Sequence, residues 1–195
     1  MKLFVALVPP SEAVEELAAV VRPLHSLPQA APLRWTGLPS WHLTLAFLGQ
    51  VDAEQLPPLE AGLAAVAAAQ PAFALRLGGA GHFGDRALWA GVHGDTAAIG
   101  RLAGASADAA RQAGLGVDDG HGFTAHLTLA RSSTPRSAGR HAGRPGGPDL
   151  RLLAAALTGF RGLPWPADTL RLMRSHQGAG PSPYETVAAW PLAQS

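Results

Sequence analysis

The pentapeptide His42-Leu43-Thr44-Leu45-Ala46 recurs unchanged as His126-Leu127-Thr128-Leu129-Ala130. In a chain rich in Ala and Leu, a repeated apolar run constrains little. A shared His and a shared Thr at one spacing constrain more, because only eight His occur in 195 residues. Leu-Thr-Leu is a strand pattern, and strand side chains alternate faces. His42 and Thr44 are therefore expected on one face, with Leu43, Leu45 and Phe47 on the other. His126 and Thr128 are expected to share a face in the same way, opposite Leu127 and Leu129. Each copy offers an imidazole beside a hydroxyl on a strand whose other face is anchored in a core. Brought together, two copies make a near-symmetric cleft with two imidazoles and two hydroxyls.

The remaining elements fit around these two strands. Residues 3–8 form an apolar run suited to a buried first strand, ended by Pro9-Pro10, with Ser11 placed to cap a helix that runs to about residue 22 or 27. Residues 33–36 are short and extended. A second helix is expected over 53–69, a strand over 73–77, a Gly-rich turn over 78–85 and a strand over 87–92. A third helix over 96–113 is closed by Gly114. Residues 132–149, with Arg136, Arg140, Arg144 and His141, read as a flexible basic loop. Residues 150–157 suit either a helix or a strand, and 168–173 and 184–190 form a last hairpin. The expected fold is α+β and bilobal: two pseudo-symmetric lobes, each with an antiparallel sheet and helices, dividing near residue 93 of a single domain over 1–195, with the cleft between them.

Composition removes several classes of function. There is no cysteine, which excludes disulfides, thiol nucleophiles and Cys-ligated zinc. A net charge of +1 argues against a general electrostatic DNA binder. The basic residues are almost all Arg, Lys2 being the one lysine, which suits phosphate but equally reflects genomic base composition. No stretch is apolar enough to span a membrane, and the start lacks a clean cleavage site, so a cytoplasmic location is expected. Neither motif contains Asp or Glu, so two imidazoles lack a third ligand and no metal is expected. Gly78-Gly79-Ala80-Gly81 lacks the Lys-Ser/Thr and helix start of a phosphate-binding loop.

The paired His-x-Thr motifs and their flanks resemble the 2H phosphoesterase superfamily. Trp35 ahead of Trp41-His42-Leu43-Thr44-Leu45-Ala46-Phe47-Leu48-Gly49, and Phe123-Thr124-Ala125-His126-Leu127-Thr128-Leu129-Ala130-Arg131, are similar to the bacterial and archaeal RNA 2′,3′-cyclic phosphodiesterases, also called 2′-5′ RNA ligases. The resemblance extends to residues 3–7 and 184–192; it departs at Ala125, where the family usually has Pro, and the 132–149 loop has no counterpart. It implies a bilobal fold, no cofactor or metal, and a monomer acting on RNA ends or 2′,3′-cyclic nucleotides by cleaving the bond to O3′ to leave a 2′-phosphate. It further implies His126 as the base on water and His42 as the acid. Alternatives are 2′-5′ ligation at the same site and a non-catalytic module that binds RNA ends.

Each site residue also has a bland role. Imidazole titrates near pH 6.5, so His42 and His126 suit acid–base work, whereas one isolated His on a strand is ordinarily structural. Thr44 and Thr128 suit donation to phosphoryl oxygens but are also plain strand formers. Arg131 completes the expected substrate-binding set, although strict alternation points it away from His126 unless a bulge re-aims it. Trp35, Trp41 and Phe123 suit core packing or base stacking. Tyr184 suits packing of the last strand, and the other six His are expected to play no chemical part, most of them sitting in turns.

Overall fold

The computed structural model describes residues 1–117, 122–132, 149–176 and 183–194. Among these, the strands are β1 (Lys2–Leu7), β2 (Leu33–Trp35), β3 (Leu43–Gln50), β4 (Phe73–Phe83), β5 (Ala87–Gly94), β6 (His126–Ser132), β7 (Trp165–Ala167), β8 (Thr169–Ser175) and β9 (Tyr184–Pro191). The helices are α1 (Ser11–Val21), α2 (Leu56–Ala69), α3 (Thr96–Gln112) and α4 (Leu150–Leu157). The strands lie in the order β7-β4-β5-β6-β3-β1-β8-β9, all antiparallel, with β2 also beside β6.

The two repeat strands are neighbours at the middle of this order, joined through the single pair Leu43 and Leu127. On one side of the join stand β3, β1, β8 and β9, backed by α2 and α3; on the other stand β6, β5, β4 and β7, backed by α4 and, more lightly, α1. The halves are thus interleaved in sequence and do not divide near residue 93. β1 pairs with β3 and β8, so the start and end of the chain build the half that holds His42. The cause is the length of the connections: helices separate four of the eight consecutive strand pairs described, so much of the pairing falls to strands distant in sequence.

The side of the sheet under the helices is the core. Leu3, Val5 and Leu7 of β1 are buried there with Leu17 and Val21 of α1, Leu59 and Leu63 of α2, and Ile99 and Leu102 of α3. The opposite face of β1 holds Phe4 and Ala6, which pack with Met173 and Tyr184. α3 ends as expected: Gly114, at φ +79°, donates to Arg111 O while Leu115 donates to Ala110 O. Asp95 and Asp149 cap α3 and α4 through backbone N–H groups of Ala98 and Leu152. Residues 150–157 are therefore helical.

Other local expectations change. Ser11 is the first helical residue and Pro10 takes the cap position, so no side chain caps α1. The second helix begins at Leu56, with Pro57 and Pro58 in its first turn, because Asp52 and Gln55 close a preceding turn. The glycine run at 78–81 is strand: β4 continues through it to Phe83, since Gly79 donates to Phe160 O and Gly78 bridges Arg161. Trp165–Ala167 adds a short strand beyond β4. The arginines of the basic stretch, with His121 and His141, lie outside the described residues. Among the described residues no helix is long and apolar enough to cross a membrane.

Candidate active site

The antiparallel pair Leu43–Leu127 sets the central geometry. One residue either side of it, His42 comes level with Thr128 and Thr44 with His126. Each imidazole therefore has a Thr of its own copy two residues along and the other copy's Thr across the join. His42, Thr44, His126, Thr128 and Arg131 all line one cavity of about 260 Å³.

Both imidazoles are held in the same way. His42 Nδ1–H donates to Ser40 O at 2.7 Å, and His126 Nδ1–H donates to Thr124 O at 2.7 Å. A carbonyl only accepts, so each ring carries its proton on Nδ1 when neutral and leaves Nε2 for the cavity. Burial lowers both groups below the usual imidazole range, the hydrogen bond to the carbonyl partly offsets this, and the Arg131 guanidinium lowers both further. The His126 charge adds to the lowering of His42.

Arg131 reaches the cavity because of a bulge. In β6 against β5, Ala130 pairs with Leu88 but Thr128 pairs with Trp89, which leaves Leu129 as an extra residue. Leu129 and Ala130 are both fully buried in succession, and the alternation restarts with Arg131 on the cleft face. The same bulge occurs in the other copy: Ala46 pairs with Val5 and Thr44 with Ala6, leaving Leu45 extra. Phe47 consequently leaves the core face on which simple alternation places it and lines the cavity, 64% exposed. Phe47 and Arg131 thus occupy the same position of the two copies, five residues after each His.

Phe47 is the cleft residue that period-two reasoning misplaces. A faint signal exists in the sequence, since the unbroken apolar run Leu45-Ala46-Phe47-Leu48 departs from the alternation of a half-buried strand. Lys2, Phe4, Ser175 and Tyr184 also line the cavity and come from strands remote from either motif. Trp41 is buried with Nε1–H donating to Thr36 O, a packing role. Trp35 packs against His25 at 4.1 Å between ring centroids, and Phe123 is exposed. His82 and His93 lie in strands β4 and β5, and bond backbone carbonyls of Gly84 and Gly78. His176, just past β8, pairs with Glu185 at 2.8 Å. Among the described residues no group of three His, Asp or Glu side chains converges as a metal site. A larger groove of about 420 Å³ between α2 and α3 is lined by small and apolar residues with Gln70, Gln112, Arg101 and Asp108, and holds no pair of imidazoles.

A family model described as LigT like phosphoesterase matches residues 7–92. The chain is 34% identical over 163 residues to an RNA 2′,3′-cyclic phosphodiesterase of Geobacillus stearothermophilus, a match covering 81% of this chain and 47% of that protein. It is 30% identical over 122 residues to an RNA 2′,3′-cyclic phosphodiesterase of Bacillus subtilis, covering 59% of this chain and 66% of the relative. The chain therefore matches about half the length of the first of these relatives. Among solved structures, E. coli LigT complexed with 3′-AMP is similar with a TM-score of 0.75 and 27% identity, covering 99% of this chain and 98% of that one. A protein of Thermus thermophilus, TT0787, is similar with a TM-score of 0.71 and 26% identity, covering 100% and 99%.

Proposed function

This chain belongs to the LigT-like phosphoesterase family of the 2H superfamily, and we propose that its cleft hydrolyses the 2′,3′-cyclic phosphate of RNA ends or nucleotides to a 2′-phosphate without a metal. The observation that carries this reading is the pair of imidazoles, each tied at Nδ1 to a carbonyl two residues back and each presenting Nε2 to one cavity.

Opening a cyclic phosphate needs water aimed at phosphorus opposite the leaving oxygen, a proton for that oxygen, and donors for the charge on the other oxygens. Two imidazoles on opposite sides of one phosphate supply the first two needs. His126 Nε2 takes the proton of the attacking water as the P–O bond forms, and His42 Nε2–H delivers a proton to O3′ as the bond to it breaks. The Thr44 and Thr128 hydroxyls and the Arg131 guanidinium hold the non-bridging oxygens. Phe47, exposed across the join from Arg131, offers a face on which the terminal base stacks.

A near-symmetric pair of motifs would serve either way round if the ribose were turned over. Phe47 and Arg131 break that symmetry, because one favours a base and the other a phosphate. The order of acid and base follows the family resemblance. In the free protein the charge of one imidazole opposes protonation of the other. A bound phosphate anion offsets the Arg131 charge that lowers both rings, and so favours the one protonated and one neutral imidazole that the reaction requires. Incubation with a 2′,3′-cyclic nucleotide, and separately with a short RNA bearing a cyclic end, tests the reading. Turnover by the native protein, lowered roughly 10²- to 10⁴-fold in His42→Ala, is the expected result; binding of the RNA end without turnover points to the non-catalytic alternative.

A further inference from the structure

Each imidazole stands in a corner made by two aromatic rings. Phe4 of β1 lies 4.8 Å from His42 between ring centroids and tilted by 34°, while Tyr184 of β9 meets the same imidazole edge-on at 4.9 Å and 82°. Around His126, Phe83 at the end of β4 is edge-on at 4.9 Å and 88°, and Trp89 of β5 is tilted by 56° at 6.0 Å. Phe83 and Trp89 also touch, at 5.4 Å, as Phe4 and Tyr184 do at 5.2 Å.

The two corners are not copies of one another. Phe4 pairs with Phe47, and the matching residue of the other half, opposite Arg131, is Ala87. Trp89 pairs with Thr128, and its counterpart opposite Thr44 is Ala6. A repeated backbone alone would not place one tilted and one edge-on ring against both imidazoles from positions that do not correspond. The arrangement around His126 also constrains its neighbour: a Cβ at Gly81 would stand 2.4 Å from the Trp89 ring, so only glycine lets the indole lie flat on β4.

We propose, building on the function above, that Phe83 with Trp89 and Phe4 with Tyr184 are positioning residues that fix the plane of His126 and His42 respectively and keep water from their ring carbons. The carbonyl bond at Nδ1 leaves each imidazole one rotation, about the axis through that bond; the ring pair blocks it, and Nε2 stays aimed at phosphorus. The same rings supply part of the burial that lowers both imidazoles. Other ionisable groups facing His126 are Arg131 on its own strand and His42 across the join; those facing His42 are Arg131, His126 and the Tyr184 phenol, with Lys2 further along β1.

The test is an NMR titration of the imidazole rings, alongside the pH dependence of kcat/KM, in the full chain. Phe83 is 37% exposed at a strand end, so Phe83→Leu is tolerable to the fold. In that variant the His126 midpoint rises toward that of free imidazole while the His42 midpoint does not rise, one limb of the kcat/KM profile moves to higher pH, and kcat falls on the order of tenfold, well short of the roughly 10²- to 10⁴-fold of losing an imidazole. Phe83→Tyr restores both readouts. Tyr184→Leu does the converse, raising the His42 midpoint alone, and Tyr184→Phe restores it. An unchanged His126 midpoint in Phe83→Leu, or both midpoints rising together in either variant, would overturn the proposal. The titration needs no substrate, so native protein that fails to open a cyclic phosphate would reject the proposed function while the titration still judged the corners.

Discussion

The half of the sheet that carries His42 and the half that carries His126 share a backbone and differ in what that backbone presents. Both have the carbonyl two residues before the His, the Thr two residues after it, and the extra residue at the second Leu. Even the burial runs in step, with Leu43, Leu45 and Ala46 matched by Leu127, Leu129 and Ala130. The divergence comes one residue later, where one copy has Phe47 and the other Arg131. What is common to the halves is what either imidazole needs in order to move a proton. What differs is, on the proposed function, what would make a ribonucleotide lie one way round: a flat apolar surface at one end and a cation at the other.

The largest effect is expected where the halves agree. His42→Ala or His126→Ala should each cost roughly 10²- to 10⁴-fold in kcat, since each removes one of two proton carriers. Steady-state turnover of a cyclic nucleotide measures this, and full activity in either variant would show that the pair does not act together. Where the halves differ, the effects should differ in kind. Arg131→Ala should lower kcat for every substrate by on the order of 10²-fold, as loss of a donor to developing phosphoryl charge does. Phe47→Ala should mainly raise KM, by the roughly 1–3 kcal/mol of one stacked base, and should leave a substrate lacking a base untouched. Equal losses in kcat for the two variants would mean that the site is not polarised in this way.

This difference also marks where the sequence stops being legible. The His and Thr of each motif can be read directly, because a period of two needs only local order. Whether Phe47 and Arg131 face the cleft cannot, because the answer depends on an extra residue that exists only relative to β1 and β5. The interleaving of the halves escapes for the same reason: nothing local in residues 2–7 says that they will lie between β3 and β8. The glycine run of β4 reads as a turn until Phe160 and Arg161 are seen to pair with it. Phe4, Tyr184, Phe83 and Trp89 lie far from the motifs in sequence and gather around the imidazoles only in space.

Smaller effects probe what the halves hold in common. Thr44→Val and Thr128→Val should each lower kcat/KM by the order of one hydrogen bond to a charged group, about 1.5–3 kcal/mol, without changing the product. A change of product in either would give Thr a share in orientation. The pH dependence is subtler. Both imidazoles are lowered from 6.5 in the free protein, so the bell-shaped optimum of kcat/KM should lie on the acid side of that value. The optimum of kcat, which reports the complex, should lie at higher pH, since a bound phosphate anion raises both groups. Coincident optima would indicate that the phosphate does not sit between the rings.

Phosphorus NMR of a 2′,3′-cyclic nucleotide turned over in the presence of a strong chelator joins the chemistry, the orientation and the independence from metal in a single spectrum. The expected result is a 2′-phosphate formed at the rate seen without chelator. A 3′-phosphate would contradict the orientation set by Phe47 and Arg131, and loss of turnover restored by a divalent ion would contradict proton transfer by the two imidazoles alone.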